Sequence, residues 1–300
     1  MGKLADKLLA SLPVITVEIT PPKGAGIKKL IKNAELLKPM VDAINITDCQ
    51  RALVKMSSLA ASRVLLDHEI EPVFQLTCRD RNRIALQSDL MGAGALQIPN
   101  ILCLTGDPVK VGDCPDAKSV FELESIRLLQ LARKLQAGQD DSGHKMNAPT
   151  RFLLGAAINP TLHGNSGQLS RMAKKIEAGC QFFQTQANYD LEDFRGFCLE
   201  AQKLNTKVLA GILILHSYEA ALYIHENIPG IQIPISVLER FKGSPNGEQT
   251  GIDFAIESMI SLASVVDGFH VMSIREEALI AQVLETYHGN TNSKPNPSLL

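Results

Sequence analysis

A chain of 300 residues, 45% of them apolar, can bury a sizeable core, and a formal net charge of −2 excludes the broadly basic surface of a nucleic-acid binder or of a protein held on an anionic membrane. The longest apolar run, residues 208–215, is too short to cross a bilayer, and the opening MGKLADKLLASLP lacks the apolar core of a secretory signal. Six cysteines, none in a C-x-x-C pair or at zinc-finger spacing, read as reduced thiols of a soluble cytoplasmic protein without a metal centre.

In chain order, short runs rich in Val, Ile and Leu alternate with longer amphipathic stretches. The predicted strands cover 14–20, 43–47, 72–77, 100–106, 152–158, 182–186, 207–215 and 268–274. The predicted helices cover 27–37, 53–68, 81–91, 120–135, 168–178, 191–204, 218–226 and 276–287. Fully apolar strands separated by helices mean a parallel sheet covered by helices. Eight such units predict a single-domain (β/α)8 TIM barrel over residues 1–288. An open doubly wound sheet is the alternative, but neither PPKGAG after the first strand nor Gly92-Ala93-Gly94 gives G-x-G-x-x-G. Residues 137–150 read as a loop on the face away from the chemistry. Residues 229–252 read as an insertion near the mouth, with a short helix around 236–241. The tail 289–300, with three Asn and two Pro, reads as disordered.

A barrel of this kind draws its chemistry from the C-terminal ends of the strands. Those ends carry Glu18, Thr47-Asp48, Gln75 and Thr77, Thr105-Gly106-Asp107, Asn159 with His163 beyond it, Thr185-Gln186, His216 and Ser273. Thr77, Thr105 and Ser273 also fit as simple caps, and Asp107 as a turn former before Pro108. Glu18 is the sharpest of them. A carboxylate in an otherwise apolar strand is costly unless a site pairs or solvates it. Burial is expected to raise its pKa, as a general acid near neutral pH requires.

The blocks VEITPP (17–22), QLTCRD (75–80), NILCLTGDP (100–108), KIEAG (175–179) and Thr185-Gln186 with Tyr189-Asp190 resemble the methylenetetrahydrofolate reductase family over nearly the whole chain. The resemblance implies a barrel that binds FAD and passes a hydride from the reduced flavin to 5,10-methylenetetrahydrofolate, giving 5-methyltetrahydrofolate. It implies Glu18 as the acid that protonates the folate and Asp107 as the carboxylate beside flavin and pterin. Gln186 would then be the amide on the pterin, and Phe241 the aromatic that stacks on substrate. Thr47, Thr77, Asp107, Asn159, His163 and Lys175 fall where the family contacts FAD, and Arg171 and Lys174 lie beside Lys175 for the pyrophosphate. A solvated basic helix face is the other reading of those cations.

The chain departs from the familiar NADH-using bacterial members at several points. Thr105 replaces an Arg before Gly-Asp, Asn159 replaces an aromatic, and Ala187-Asn188-Tyr189 replaces an aromatic run after the glutamine. The implied electron source is therefore NAD(P)H or a separate electron-donating partner subunit. The implied assembly is a homo-oligomer or one subunit of a hetero-complex. The competing readings are a folate- or corrinoid-linked methyltransferase barrel and a flavin-binding subunit of a larger electron-transfer complex.

Overall fold

The computed structural model describes residues 2–161, 164–228, 230–274 and 277–292. Its eight strands are β1 (Val14–Ile19), β2 (Ala43–Ile46), β3 (Pro72–Thr77), β4 (Asn100–Leu104), β5 (Leu153–Ile158), β6 (Phe182–Ala187), β7 (Lys207–Ile214) and β8 (Gly268–Ser273). They pair in parallel, in chain order, and β1 closes onto β8. The chain is thus a (β/α)8 barrel. Its strands are buried on both faces, which is why each reads as a nearly continuous apolar run.

The helices among the described residues are α1 (Lys3–Leu9), α2 (Lys28–Leu37), α3 (Ser58–Asp67), α4 (Arg83–Ala95), α5 (Ser125–Gln136), α6 (Gly164–Glu177), α7 (Leu191–Gln202), α8 (Tyr218–Asn227), α9 (Ile235–Lys242), α10 (Gly247–Leu262) and α11 (Glu277–Asn292). Several begin where a polar side chain satisfies the free N–H groups of the first turn. Asn82 accepts from Ile84 and Ala85, Asp190 from Asp193, and Ser217 from Ala220. α11 carries the helix to Asn292, so residues 289–292 belong to it, not to the disordered tail expected from 289 onward. The rest of that expected tail lies outside the described residues.

The segment between β7 and β8 also differs from the expected one. The short helix around 236–241 is α9, but a 16-residue helix, α10, follows it. α10 is the one that packs back on the barrel beside β7. Gly251 lets it do so, because a Cβ there would lie 1.6 Å from the Leu215 carbonyl oxygen. α8 and α9 therefore form the insertion. Amphipathic spacing could not rank the three helices.

Period-2 alternation decides what faces the barrel lumen. Val14, Thr16 and Glu18 share one face of β1; Ala43 and Asn45 share one face of β2. Val73, Gln75 and Thr77 do so on β3, Phe182, Gln184 and Gln186 on β6, and Gly268, His270 and Met272 on β8. The lowest layer is apolar. Leu4, Ala5 and Leu8 of α1, a helix the strand–helix count left out, pack there against Val14, Ala43, Val73, Leu102, Leu153, Phe182 and Leu209. Higher layers turn polar toward the C-terminal mouth.

Asp42 fastens α1 beneath the barrel. It accepts from the Ile15 N–H at 2.9 Å and pairs with Lys7 at 2.9 Å and Lys3 at 3.0 Å. Burial pushes its carboxyl pKa up, but the Ile15 N–H and the two lysines outweigh it and hold the group below its ordinary value. The unfolded chain, with Asp near 3.9, then binds more protons than the folded one in mild acid, so stability rises with pH across that range. The contribution is complete above pH ~4 and is lost as pH falls through the lower, folded-state pKa. Urea melts from pH 3 to 7 are expected to show Asp42→Asn less stable at neutral pH, with the gap to the parent protein closing toward pH 3. A gap that stays constant with pH would remove Asp42 from this role.

Candidate active site

The mouth of the barrel opens on a cavity of about 240 Å3 walled by strands β1, β3 to β6 and β8 and by the loops after β2, β3 and β4. Glu18, Thr77, Asp107 and Gln186 all line it. The structure thus brings together four of the residues that the sequence singles out.

Glu18 stands on the lumen face of β1 with its side chain 14% exposed. Its Oε1 accepts from Gln50 Nε2 at 2.9 Å and its Oε2 from Gln75 Nε2 at 3.1 Å. The His270 Nε2 lies 3.8 Å from Oε2, in ion-pair range but longer than a hydrogen bond. These neighbours correct the expected pKa direction. Burial raises the Glu18 pKa, but His270, Gln75 and Gln50 together favour the carboxylate and leave it below its ordinary value. The donors come from three other segments, so a reading of β1 alone could not include them.

Asp107 follows β4 at the exposed rim and accepts from the Arg51 N–H at 2.8 Å. Gly106, before it, adopts a φ of +95°, and a Cβ there would lie 3.0 Å from the Cβ atoms of Thr77 and Arg79. Only glycine allows that approach of bare backbone to the cavity wall. One loop touches both carboxylates. In residues 49–52, Cys49, Arg51 and Ala52 all have positive φ, a conformation that needs external support. Gln50 holds Glu18, the Arg51 N–H holds Asp107, and Arg79 holds the Cys49 carbonyl at 3.1 Å. The Arg51 guanidinium also reaches the Tyr223 hydroxyl on α8.

The remaining candidates sit elsewhere. Thr47 is fully buried at the end of β2, and its hydroxyl has no hydrogen-bond partner among the described residues. Asn159 is occupied by a turn: its side chain donates to the Gly230 carbonyl and accepts from Thr161. Arg171 and Lys174 are exposed on α6. Lys175 is buried against the outside of the barrel, where its Nζ donates to the Ala157 carbonyl at 2.7 Å, so it is not available to a pyrophosphate. Phe241 does not face the cavity. It is buried in an apolar cluster with Tyr189, Leu215 and Ile224, because α9 packs its apolar face onto α8. His163 lies outside the described residues.

Strand-end reading missed His270, which lines the cavity from within β8, and assigned no role to Gln50, Gln75 and Gln184. Alternation along β8 carries the missing signal. His270 and Met272 share the lumen parity and Ser273 does not.

Comparison with known proteins decides the family. The sequence profile described as methylenetetrahydrofolate reductase matches residues 3–288. The chain belongs to the methylenetetrahydrofolate reductase family. Methylenetetrahydrofolate reductase 1 of Schizosaccharomyces pombe is 23% identical over 302 residues, covering 94% of this chain and 48% of the relative. Methylenetetrahydrofolate reductase 2 of the same organism is 23% identical over 312 residues, covering 94% and 46%. A probable methylenetetrahydrofolate reductase (NADPH) of Caenorhabditis elegans is 21% identical, covering 77% and 34%. The chain thus spans about half or less of the length of these curated family members. Among solved structures, an uncharacterized protein from Clostridium thermocellum that binds two copies of 5-methyl-5,6,7,8-tetrahydrofolic acid superposes with a TM-score of 0.71 at 16% identity, covering 97% of this chain and all of that one. Oxaloacetate acetylhydrolase, at TM-score 0.52 and 10% identity over 97% and 84% of the two chains, shares only the barrel. No helix among the described residues is long and apolar enough to cross a membrane.

Proposed function

We propose that this chain reduces 5,10-methylenetetrahydrofolate to 5-methyltetrahydrofolate, with FAD as the hydride carrier and NAD(P)H or a partner protein as the electron source. The observation that carries the reading is the convergence of Glu18, Asp107 and Gln186 on one cavity in a member of this family. The folate-binding barrel of similar fold supports the substrate class.

The residues present fit a flavin at the ring end. The bare backbone at Gly106, with Thr77 below and Asp107 beyond, offers a wall that a flat ring can approach, and the Thr47 hydroxyl is buried at the neighbouring strand end with its capacity unused. Thr47, Thr77 and Asp107 would hold that end, and Arg171 and Lys174 are the cations left for the diphosphate. When bound, the flavin supplies the hydride.

The chain's own residues then do the following. Gln186 offers a paired donor and acceptor to the pterin edge. Glu18 delivers a proton to N10 of the folate, opening the imidazolidine ring to a cationic iminium. Asp107 places negative charge where that cation develops. Because Glu18 rests as a carboxylate, substrate has to displace the Gln50 and Gln75 donors and exclude water, and both changes raise its pKa toward what an acid needs. Anaerobic spectroscopy of the purified chain tests the reading. A flavin spectrum, bleached by reductant and restored by 5,10-methylenetetrahydrofolate, is expected; a colourless protein with no affinity for FAD would overturn it and favour the methyltransferase alternative.

A further inference from the structure

Residues 50–53 form a tight turn, closed by the Leu53 N–H on the Gln50 carbonyl at 3.2 Å, whose flanks are fixed. On one side Arg79, buried and ion-paired with Asp80, holds the Cys49 carbonyl. On the other, Ala52 is buried, and its carbonyl oxygen sits where a side chain at residue 112 would have to be; a Cβ on Gly112 would lie 1.9 Å from it. Beyond the turn the Val54 N–H donates to Asp113 at 2.8 Å, and the Met56 N–H to the Pro22 carbonyl at 2.9 Å. Between these anchors stand Gln50 and Arg51, both exposed. Their contacts outside the turn are with the two carboxylates, Gln50 on Glu18 and the Arg51 N–H on Asp107, and a long one of 3.4 Å from the Arg51 guanidinium to Tyr223. Arg51 has a φ of +54°, which a residue with a Cβ keeps only where outside contacts hold it.

We propose that Gln50 is a positioning residue that substrate displaces from Glu18, and that its displacement frees Asp107. In the empty cavity the turn caps both carboxylates with neutral donors. The proposed reaction needs the folate nitrogen within reach of Glu18, beside the place that the Gln50 amide takes on Oε1. Once that amide leaves, the positive φ of Arg51 is supported by one hydrogen bond at the exposed rim, where water competes for both partners, and by the long contact to Tyr223. The turn then relaxes and carries the Arg51 N–H off Asp107. That carboxylate loses a donor that draws off part of its charge, just before a cation forms beside it. Gln75 does not act in this way, because it stands on β3 and its amide reaches Glu18 but no second carboxylate. Holding the turn closed also weakens folate binding, since the competent arrangement is only part of the population, so a chain without the Gln50 amide binds folate more tightly.

Displacement by substrate rests on the proposed folate reduction, whereas the link between the two contacts can be read without ligand, so the test has two arms. In the first, the full purified chain is labelled with 15N-arginine. The Arg51 amide is assigned by its loss in Arg51→Lys, and Asp107→Ala gives its signal without the acceptor. Gln50→Ala is expected to move the Arg51 amide proton upfield toward that reference and to speed its exchange with solvent about tenfold or more. A signal that Gln50→Ala leaves in place overturns the link. In the second arm, 5-methyltetrahydrofolate is added to saturation with excess reductant, which keeps hydride from returning to the flavin. The Arg51 signals of the wild-type and Asp107→Ala chains are then expected to converge, because the bond is gone from both. A separation as large as in the free chains overturns the displacement. Gln50→Ala is expected to lower the Kd for this ligand about three- to tenfold. A Gln50 that only supported the fold or gripped the folate would raise that Kd, so an unchanged or higher value also overturns the displacement. A wild-type chain that binds no folate overturns the functional reading instead, and the first arm still decides the link.

Discussion

Glu18→Gln is expected to cut folate reduction by roughly 10²–10⁴, the usual contribution of a general acid, while flavin binding and electron input continue. Gln has nearly the shape of Glu and can still accept from Gln50, but it cannot deliver a proton to nitrogen. Its half-reactions therefore separate. Reductant is expected to bleach the flavin at a near-normal rate, and 5,10-methylenetetrahydrofolate to restore the colour slowly. Thermal stability is expected to fall slightly at neutral pH, because the folded chain favours the Glu18 carboxylate over its neutral form and Gln turns one of its two acceptor oxygens into a donor facing Gln50 or Gln75. Near-normal reoxidation in this variant would exclude Glu18 as the acid.

The second large effect concerns stability. Asp48 follows β2 and accepts four bonds: the Thr77 N–H at 2.9 Å, the Thr77 hydroxyl at 2.8 Å, and the Arg81 guanidinium at 2.7 and 3.3 Å. Its side chain is 3% exposed and that of Arg81 18%. Asp48→Ala leaves both Thr77 donors unpaired and Arg81 with Asp89 and one long bond to the Thr77 carbonyl, so a loss of about 3–5 kcal/mol is expected. For a domain of this size each kcal/mol lowers Tm by roughly 2–4 °C, which makes the effect plain in a urea or thermal melt. A loss below about 1 kcal/mol would mean that water replaces the carboxylate and that the network adds little.

These two carboxylates also mark what could be read from the sequence. The eight strands and their order were legible because strands buried on both faces are apolar throughout and each is followed by an amphipathic stretch. α1 was not, because seven residues with Leu4, Ala5 and Leu8 on one side give little pattern without the barrel floor they fill. At the mouth, strand ends pointed correctly to Glu18, Thr77, Asp107 and Gln186 as residues of one cavity. Lys175 and Phe241 were misplaced because position along a helix does not say which face meets the barrel. The direction of the Glu18 pKa was missed because it depends on side chains from the loop after β2, from β3 and from β8, which only closure of the barrel brings together.

That closure has a consequence for timing. Thr16 and His270 touch across 254 positions of sequence. A ribosome adding roughly 5–20 residues per second needs on the order of ten to fifty seconds to make the second after the first. For that interval β1 has no β8 beside it, its free edge is open to other chains, and Glu18 lacks its histidine neighbour. Slowed elongation or a truncated product would prolong the interval, so a nascent chain stalled before residue 268 is where aggregation and chaperone demand should concentrate.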